Sequence, residues 1–460
     1  MTSSIVIAGK TLDTERHTDC LADSGTPGRT RHWLLLAIAA LIAAGFLAIV
    51  LVLSRTPAIQ DIIPWQEFFK TALVVHVDLS VLIWFLAFAG LFWSLIHPHH
   101  YPVIEFIAFS LVGLGTAVLL ISPFTGDGHP LMNNYVPVLQ TPVFLAGLLL
   151  IGLGIGLQAL RALLSASLAG TPSAFITGSR LAALCVLLAL AGVVWSALGI
   201  PEHITGQAYY EYLFWGGGHI LQFAHTVLLL LAWRLLVCHT RAITPKQSDT
   251  WLLVLAAAPA LGAIPIYLNY DITAAGFRLG FTELMRYGGL AAAPAMLWIA
   301  WLGISHKTRS LATPGCRSAL NSSWILFAAG GILGFLIQGI NVVIPAHYHG
   351  SIVGITLAYM GISYLLLEHW GHPIRLKRTA RWQPYIYGGG QFLHIMGLAW
   401  SGGYGVQRKT AGAAQGLDSL EKTLGMGLMG LGGMIAVIGG ILFLVVTLDT
   451  LARRESRKLS

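Results

Sequence analysis

Six histidines, His76, His219, His225, His347, His349 and His394, lie inside long apolar stretches of a 460-residue chain. An ionisable side chain in hydrocarbon is costly and by default marks a functional site. Five of the six fall near the outer third of even-numbered apolar stretches, in "VVHVDLSVLIWFL", "LFWGGGHILQFAH" and "PAHYHG", and so share one depth. His347 and His349 are two residues apart, which at about 100° per residue sends their rings off a helix about 200° apart. They cannot chelate one ion together, but each can bind something on its own side. Imidazole is a usual axial ligand for haem iron, and that is the chemistry this spacing permits. The small residues Gly350, Gly354 and Ala358 admit either a flat macrocycle or a close-packed neighbouring helix. His17, His32, His97, His99, His100, His239, His306, His369 and His372 sit in or beside polar connecting segments, where solvated side chains are expected.

The elements that carry these residues follow from composition. With 56% hydrophobic residues, 10% charged residues and a mean hydropathy of +0.73, the chain is a polytopic membrane protein and not a soluble domain. Twelve stretches are long enough to cross the hydrocarbon as helices: 33–54, 71–96, 102–123, 137–164, 179–200, 211–237, 251–270, 281–304, 323–344, 346–368, 384–403 and 423–450. Residues 1–32 then form a cytoplasmic tail, 33–450 the membrane domain and 451–460 a basic cytoplasmic tail. Most of the 27 lysines and arginines fall on the side shared by both termini, so the positive-inside rule places both termini in the cytoplasm. The net charge of +8 is therefore topology and not a nucleic-acid footprint. Cys20, Cys185, Cys238 and Cys316 form no C-x-x-C motif, and neither a disulfide nor covalently attached haem is expected. The polar, mixed-charge start does not fit a cleavable signal, so the first span stays as an anchor.

Twelve spans, one histidine early in the second, one in "FWGGGH" of the sixth and an H-x-H opening the tenth resemble the catalytic subunit I of the haem-copper oxidase superfamily, which includes cytochrome c oxidases and membrane nitric oxide reductases. The resemblance covers residues from about 33 to 450 and implies an all-α, twelve-transmembrane-helix bundle of the subunit I type. It implies that His76 and His349 are axial ligands of a low-spin haem and His347 the proximal ligand of a high-spin haem. His219 matches the sixth-helix ligand of a second metal, copper or iron. "HIMGL" at His394 is similar to the stretch preceding a basic pair that binds haem propionates, here Arg408 and Lys409, with "AWSGGYGV" interposed. "HVDLSVLIW" looks closer to the nitric oxide reductase and cbb3-type branch.

The sequence departs from the family pattern at two places. The family completes its second-metal site with a His-His pair on the seventh helix, and here Asn269 and Tyr270 stand in "PIYLNYDITAAG". The oxygen donors to hand are Asn269, Tyr270, Asp271 and Glu283, a shell suited to iron or another hard ion better than to copper. Tyr270 and Asp271 fit an ordinary outer loop equally well. Phe223 stands four residues after His219, where mitochondrial-type oxidases carry a tyrosine, and Tyr267 is the substitute on the seventh helix. The inner halves of the spans hold few polar residues, so strong proton pumping is not expected. Glu105 is the main buried acid or an interface residue; Asp271, Glu283, Glu202 and Glu211 offer protons from the outer side.

Taken together, the resemblance implies a bacterial inner-membrane terminal oxidoreductase of a respiratory chain. Electrons would pass from a separate donor subunit or cytochrome c at the outer face, through the low-spin haem, to a high-spin haem that reduces O2 or NO. His347, His219, Tyr270 and Glu283 would be the catalytic residues. Two other readings stay open: a haem-bearing electron-transfer or gas-sensing relative with a degenerate second-metal site, and a transporter using histidines as proton relays.

Overall fold

The computed structural model describes residues 28–53, 66–97, 100–126, 128–167, 170–307, 312–408 and 417–453. The described chain divides into two compact units, one drawn from Leu21–Leu231 and Pro245–Leu297, the other from Ala232–Thr244 and Trp298–Ser460. Among the described residues, eleven helices are long and apolar enough to cross a membrane.

The first unit opens with α1 (Gly28–Leu53) and α2 (Gln66–Val77). A π-helical turn, Asp78–Ile83, joins α2 to α3 (Trp84–Ile96), so the second span is one rod with an extra residue wound in near its middle. After α4 (Pro102–Ile121), a hairpin of two short antiparallel strands, β1 (Pro130–Leu131) and β2 (Val138–Leu139), precedes α5 (Pro142–Leu164). Thr141 caps α5 by accepting from the Phe144 amide at 3.2 Å, which is why the helix starts at Pro142 and not at 137. α6 (Ser173–Gly199) and α7 (Gly206–Arg241) follow, the last part of α7 lying in the second unit. The seventh span consists of α8 (Gln247–Ala257) and α9 (Ala263–Asn269), with a 3₁₀ turn at Pro259 between them. The eighth consists of α10 (Ala275–Gly288) and α11 (Ala293–Ser305), again with a 3₁₀ turn between. A polar cluster closes one end of this unit: Glu105 accepts from Ser94 and pairs with Arg29 at 3.2 Å and Arg161 at 3.6 Å. Glu105 is only 1% exposed, so it is a buried, ion-paired acid, while its partner Arg29 is exposed at the same end. His97 is buried in the same end, not solvated as expected, with its two ring nitrogens against the Ala166 carbonyl and Ser179 hydroxyl.

The second unit holds α12 (Cys316–Phe335), α13 (Val343–His369), α14 (Lys377–Gly403) and α15 (Leu420–Leu451). α12 begins and ends well before the 323–344 expected for the ninth span. Its first turns carry Ser318, Ser322 and Ser323, which look like a loop in sequence but are buried here, with Ser323 donating to the Gly354 carbonyl at 2.6 Å. It starts at Gly315, whose φ of +92° only glycine adopts without strain. α14 is the eleventh span and α15 the twelfth; the start of α14, "KRTARWQ", makes it too polar to count among the eleven apolar helices. Gln383 is fully buried there, donating to the Gly439 carbonyl at 3.1 Å and accepting from the Tyr364 hydroxyl at 3.0 Å. His372, expected in solvent, is buried and faces the Arg453 carbonyl. Cys238 is disulfide-bonded, against expectation, because pairing depends on spatial approach and not on a sequence motif. Cys185 and Cys316 are buried free thiols.

Candidate functional site

The tenth span, α13, presents its two histidines to different neighbours. The His347 Nδ1–H donates to the Gly330 carbonyl of α12 at 2.7 Å. A Cβ at Gly334, one turn further along α12, would stand 2.8 Å from that ring, so the absence of a side chain there makes room for the imidazole. His349 turns the other way: its ring lies 5.0 Å from that of His394 on α14, and its Nδ1–H donates to the Pro345 carbonyl at 2.8 Å. His394 repeats the pattern, with Nδ1–H donating to the Met429 carbonyl of α15 at 3.0 Å. Gly350 and Gly354 serve helix packing: a Cβ on either would collide with Gly330 or Phe327 of α12. Arg408 lies past the end of α14, within electrostatic reach of Tyr348, while its expected partner Lys409 lies outside the described residues.

In the first unit, the His76 Nδ1–H donates to the Ala44 carbonyl of α1 at 2.8 Å. A donor that points at a carbonyl must be protonated, so in His76, His347, His349 and His394 the proton sits on Nδ1 and the lone pair on Nε2. His225 differs: among the described residues its Nδ1 has no hydrogen-bond partner, and its ring lies edge-on to Phe85 at 5.0 Å.

His219 is enclosed differently again. Its Nδ1–H donates to Trp215 O at 2.7 Å, and the Tyr135 hydroxyl lies 2.9 Å from Nδ1 and 3.0 Å from Nε2. The rings of Trp215, Tyr135 and Phe281 flank it at 4.7, 4.9 and 5.5 Å. Three consecutive glycines make this packing possible. A Cβ at Gly216 would overlap the Tyr267 hydroxyl, one at Gly217 would meet Val193, and one at Gly218 would overlap the ring of Tyr135. Tyr135 was not visible as a site residue in sequence, being one polar loop residue among many. The signal that points to it is "GGG" within an apolar helix, since such a run demands that large groups enter from outside.

The oxygen donors proposed for a second metal do not form a buried site. Asn269, Tyr270, Asp271 and Glu283 are all exposed. The Asn269 side chain donates to its own helix at Pro265, and Glu283 pairs with Arg286 at 3.5 Å. Tyr267 is buried, its hydroxyl donating to the Gly192 carbonyl at 2.9 Å beside Ser196. Glu211 accepts from the Asn134 amide at 3.0 Å and so ties down the hairpin that carries Tyr135. Among the described residues no group of three or more His, Cys, Asp or Glu side chains can hold a metal ion.

A scan against protein-family models finds no match. The fold is similar to that in a cryo-EM structure of a haem-copper terminal oxidase dimer, with a TM-score of 0.68 over 95% of this chain and 86% of that one at 16% identity. The fold class is therefore all-α and of the haem-copper oxidase subunit I type. An uncharacterized protein of Aquifex aeolicus (strain VF5) is 28% identical over 77% of this chain and 88% of its own length. An uncharacterized protein of Rickettsia prowazekii (strain Madrid E) is 31% identical over 93% of this chain and 96% of its own. At that identity and coverage, the chain belongs to one family with the Rickettsia prowazekii protein.

Proposed function

We propose that the chain is a haem-binding membrane oxidoreductase of the terminal-oxidase type. In this reading His76 and His349 would hold a low-spin haem and His347 would hold a high-spin haem. One observation carries it. Each of these imidazoles sits in a membrane span with Nδ1–H held by a backbone carbonyl, at 2.8, 2.8 and 2.7 Å for His76, His349 and His347, which leaves Nε2 as the electron-pair donor. Metal-ligating histidines need that arrangement, because the outer hydrogen bond fixes the tautomer and ring orientation and raises the basicity of the ligating nitrogen. His97 contrasts with His76 and His347, since both of its nitrogens lie opposite protein groups.

Bound haem would supply one-electron transfer and a site for a diatomic oxidant, O2 or NO. The chain's own residues would orient it: Gly330 O holds the His347 ring, Gly334 leaves room for that ring, and Arg408 and Lys409 neutralise propionate carboxylates. The electron donor, cytochrome c or a separate subunit, would dock at the outer face of a bacterial cell membrane, with both chain termini in the cytoplasm.

Purified protein tests the reading. Reduced-minus-oxidised spectra should show a Soret band and a low-spin haem signal, and CO should perturb a second haem. His347→Ala should abolish the CO response and spare the low-spin signal, whereas His76→Ala or His349→Ala should do the reverse. A haem-free preparation would sink the proposal. A second reading, a haem protein without gas turnover, is favoured by the exposure of the oxygen donors expected around His219; O2 and NO consumption assays separate the two.

A further inference from the structure

We infer that the Tyr135–His219 pair, a phenol hydrogen-bonded to an imidazole, stands in place of the second metal that the fold class implies, so that the chain carries haem iron and no other stoichiometric metal. The inference rests on the haem reading for the iron but not for the pair.

The donor set does not fit a second metal. His219 Nδ1–H is committed to Trp215 O at 2.7 Å, so the lone pair on Nε2 is the only donor a metal could use, and the Tyr135 hydroxyl sits against the same ring, 3.0 Å from Nε2 and 2.9 Å from Nδ1. Zinc or copper on imidazole would need several further nitrogen, sulfur or oxygen ligands. The side chains that surround the ring are instead those of Trp215 and Phe281, with Gln222 within hydrogen-bonding reach of the same phenol. His219 is 5% exposed and Tyr135 is half-buried, and a hydrogen bond between two otherwise neutral groups satisfies both without a charge to neutralise.

The placement of Tyr135 is built in and not incidental. The hairpin holds it from both sides: Asn133 accepts from the amides of Tyr135 and Val136 at 3.1 and 2.9 Å, and the Asn134 amide donates to Glu211 at 3.0 Å. Gly218, one residue before His219, is the position whose side chain would expel the phenol. A metal ligand shell would gain nothing from a glycine there, whereas a ring packed onto the helix needs one.

Two measurements test the pair. The first is total metal by mass spectrometry against haem by pyridine haemochrome, on full-length protein supplied with copper and iron during expression. The expected result is iron equal to haem and less than about one copper per ten chains. One copper or one non-haem iron per chain, lost in His219→Ala, would overturn the inference. A haem-free protein would fail the proposed function while leaving this test intact, because metal bound through His219 is counted independently of haem. The second is amide hydrogen exchange across residues 130–139. Tyr135→Phe and His219→Phe should each speed exchange there about fivefold, the equivalent of one ordinary hydrogen bond, and the double variant should go no further. Additive effects would mean the two side chains do not act on each other, and the pair would be rejected.

Discussion

His97 shows what burial does to an imidazole that has no cofactor to hold. It lies just past the end of α3, wholly inside the protein, and burial, reinforced by Arg180, Arg161 and His100, pushes it down to about 4 from the ordinary 6.5. The unfolded chain therefore binds a proton between pH 6.5 and about 4 that the folded chain refuses. The stability that neutral His97 provides is complete above pH 6.5 and drains away as pH falls toward 4. Thermal unfolding of His97→Gln should accordingly be flatter than wild type across that interval; parallel curves would mean another group sets the acid limb. Asp78 presents the opposite case. It sits in the π-helical turn, 1% exposed, with neither carboxylate oxygen hydrogen-bonded among the described residues. Such a group is a liability in a low-dielectric interior, and π turns concentrate at functional sites. Asp78→Asn should raise the unfolding midpoint by about 1 °C, the shift that about 1 kcal/mol gives against an unfolding entropy of about 2.1 cal/mol/K per residue in a chain of this length. An unchanged or lowered midpoint would show that the carboxylate has a stabilising partner.

At the level of elements, the second unit depends on helices that touch backbone to backbone. Gly330 of α12 and Gly350 of α13 cross so closely that a Cβ on Gly350 would lie 2.6 Å from the Gly330 Cα. The same crossing supplies the carbonyl that orients His347, so helix packing and the geometry of the proposed ligand share one contact. Gly350→Leu should therefore pry α12 from α13 and remove the Gly330 acceptor together. The expected outcome is a weakened or shifted CO-binding haem spectrum at normal membrane insertion, read by optical difference spectra and quantitative blotting. An unperturbed spectrum would detach the packing from the ligand. These contacts also explain which parts of the fold and site are legible in sequence. The histidines and the number of spans show in the letters because hydrocarbon penalises charge whatever the neighbours. The ends of α12, the burial of Glu105 and the role of Tyr135 do not show. Each depends on a partner distant in sequence: Gly354 for Ser323, Arg29 and Arg161 for Glu105, and His219 for Tyr135.

For the whole molecule, the connections within each unit fix which helix ends lie together. In the first unit His97 after α3, Glu105 in the first turn of α4, Arg161 near the end of α5 and Ser179 of α6 meet in one polar cluster. In the second, Arg241 at the end of α7 donates to the His306 carbonyl after α11, His239 pairs with Thr313 before α12, and His372 after α13 faces Arg453 after α15. The opposite end of that unit is closed by the Val342 amide, which donates to the Val406 carbonyl at 3.0 Å. Arg161 and Arg180 in the first unit, and Arg241, Arg375, Lys377 and Arg378 in the second, fall at or beside the first-named ends, which the proposed orientation would place in the cytoplasm. Under that proposed orientation the hairpin carrying Tyr135 would face outward, toward the proposed electron donor. Single cysteines introduced at Asn134 and at Arg375 distinguish the two faces in intact cells treated with a membrane-impermeant maleimide. Labelling should occur at 134 and not at 375 until the membrane is opened. The reverse pattern would put the hairpin in the cytoplasm and require the donor to approach from inside, because electrons that reach buried haem irons must enter from whichever face the donor occupies.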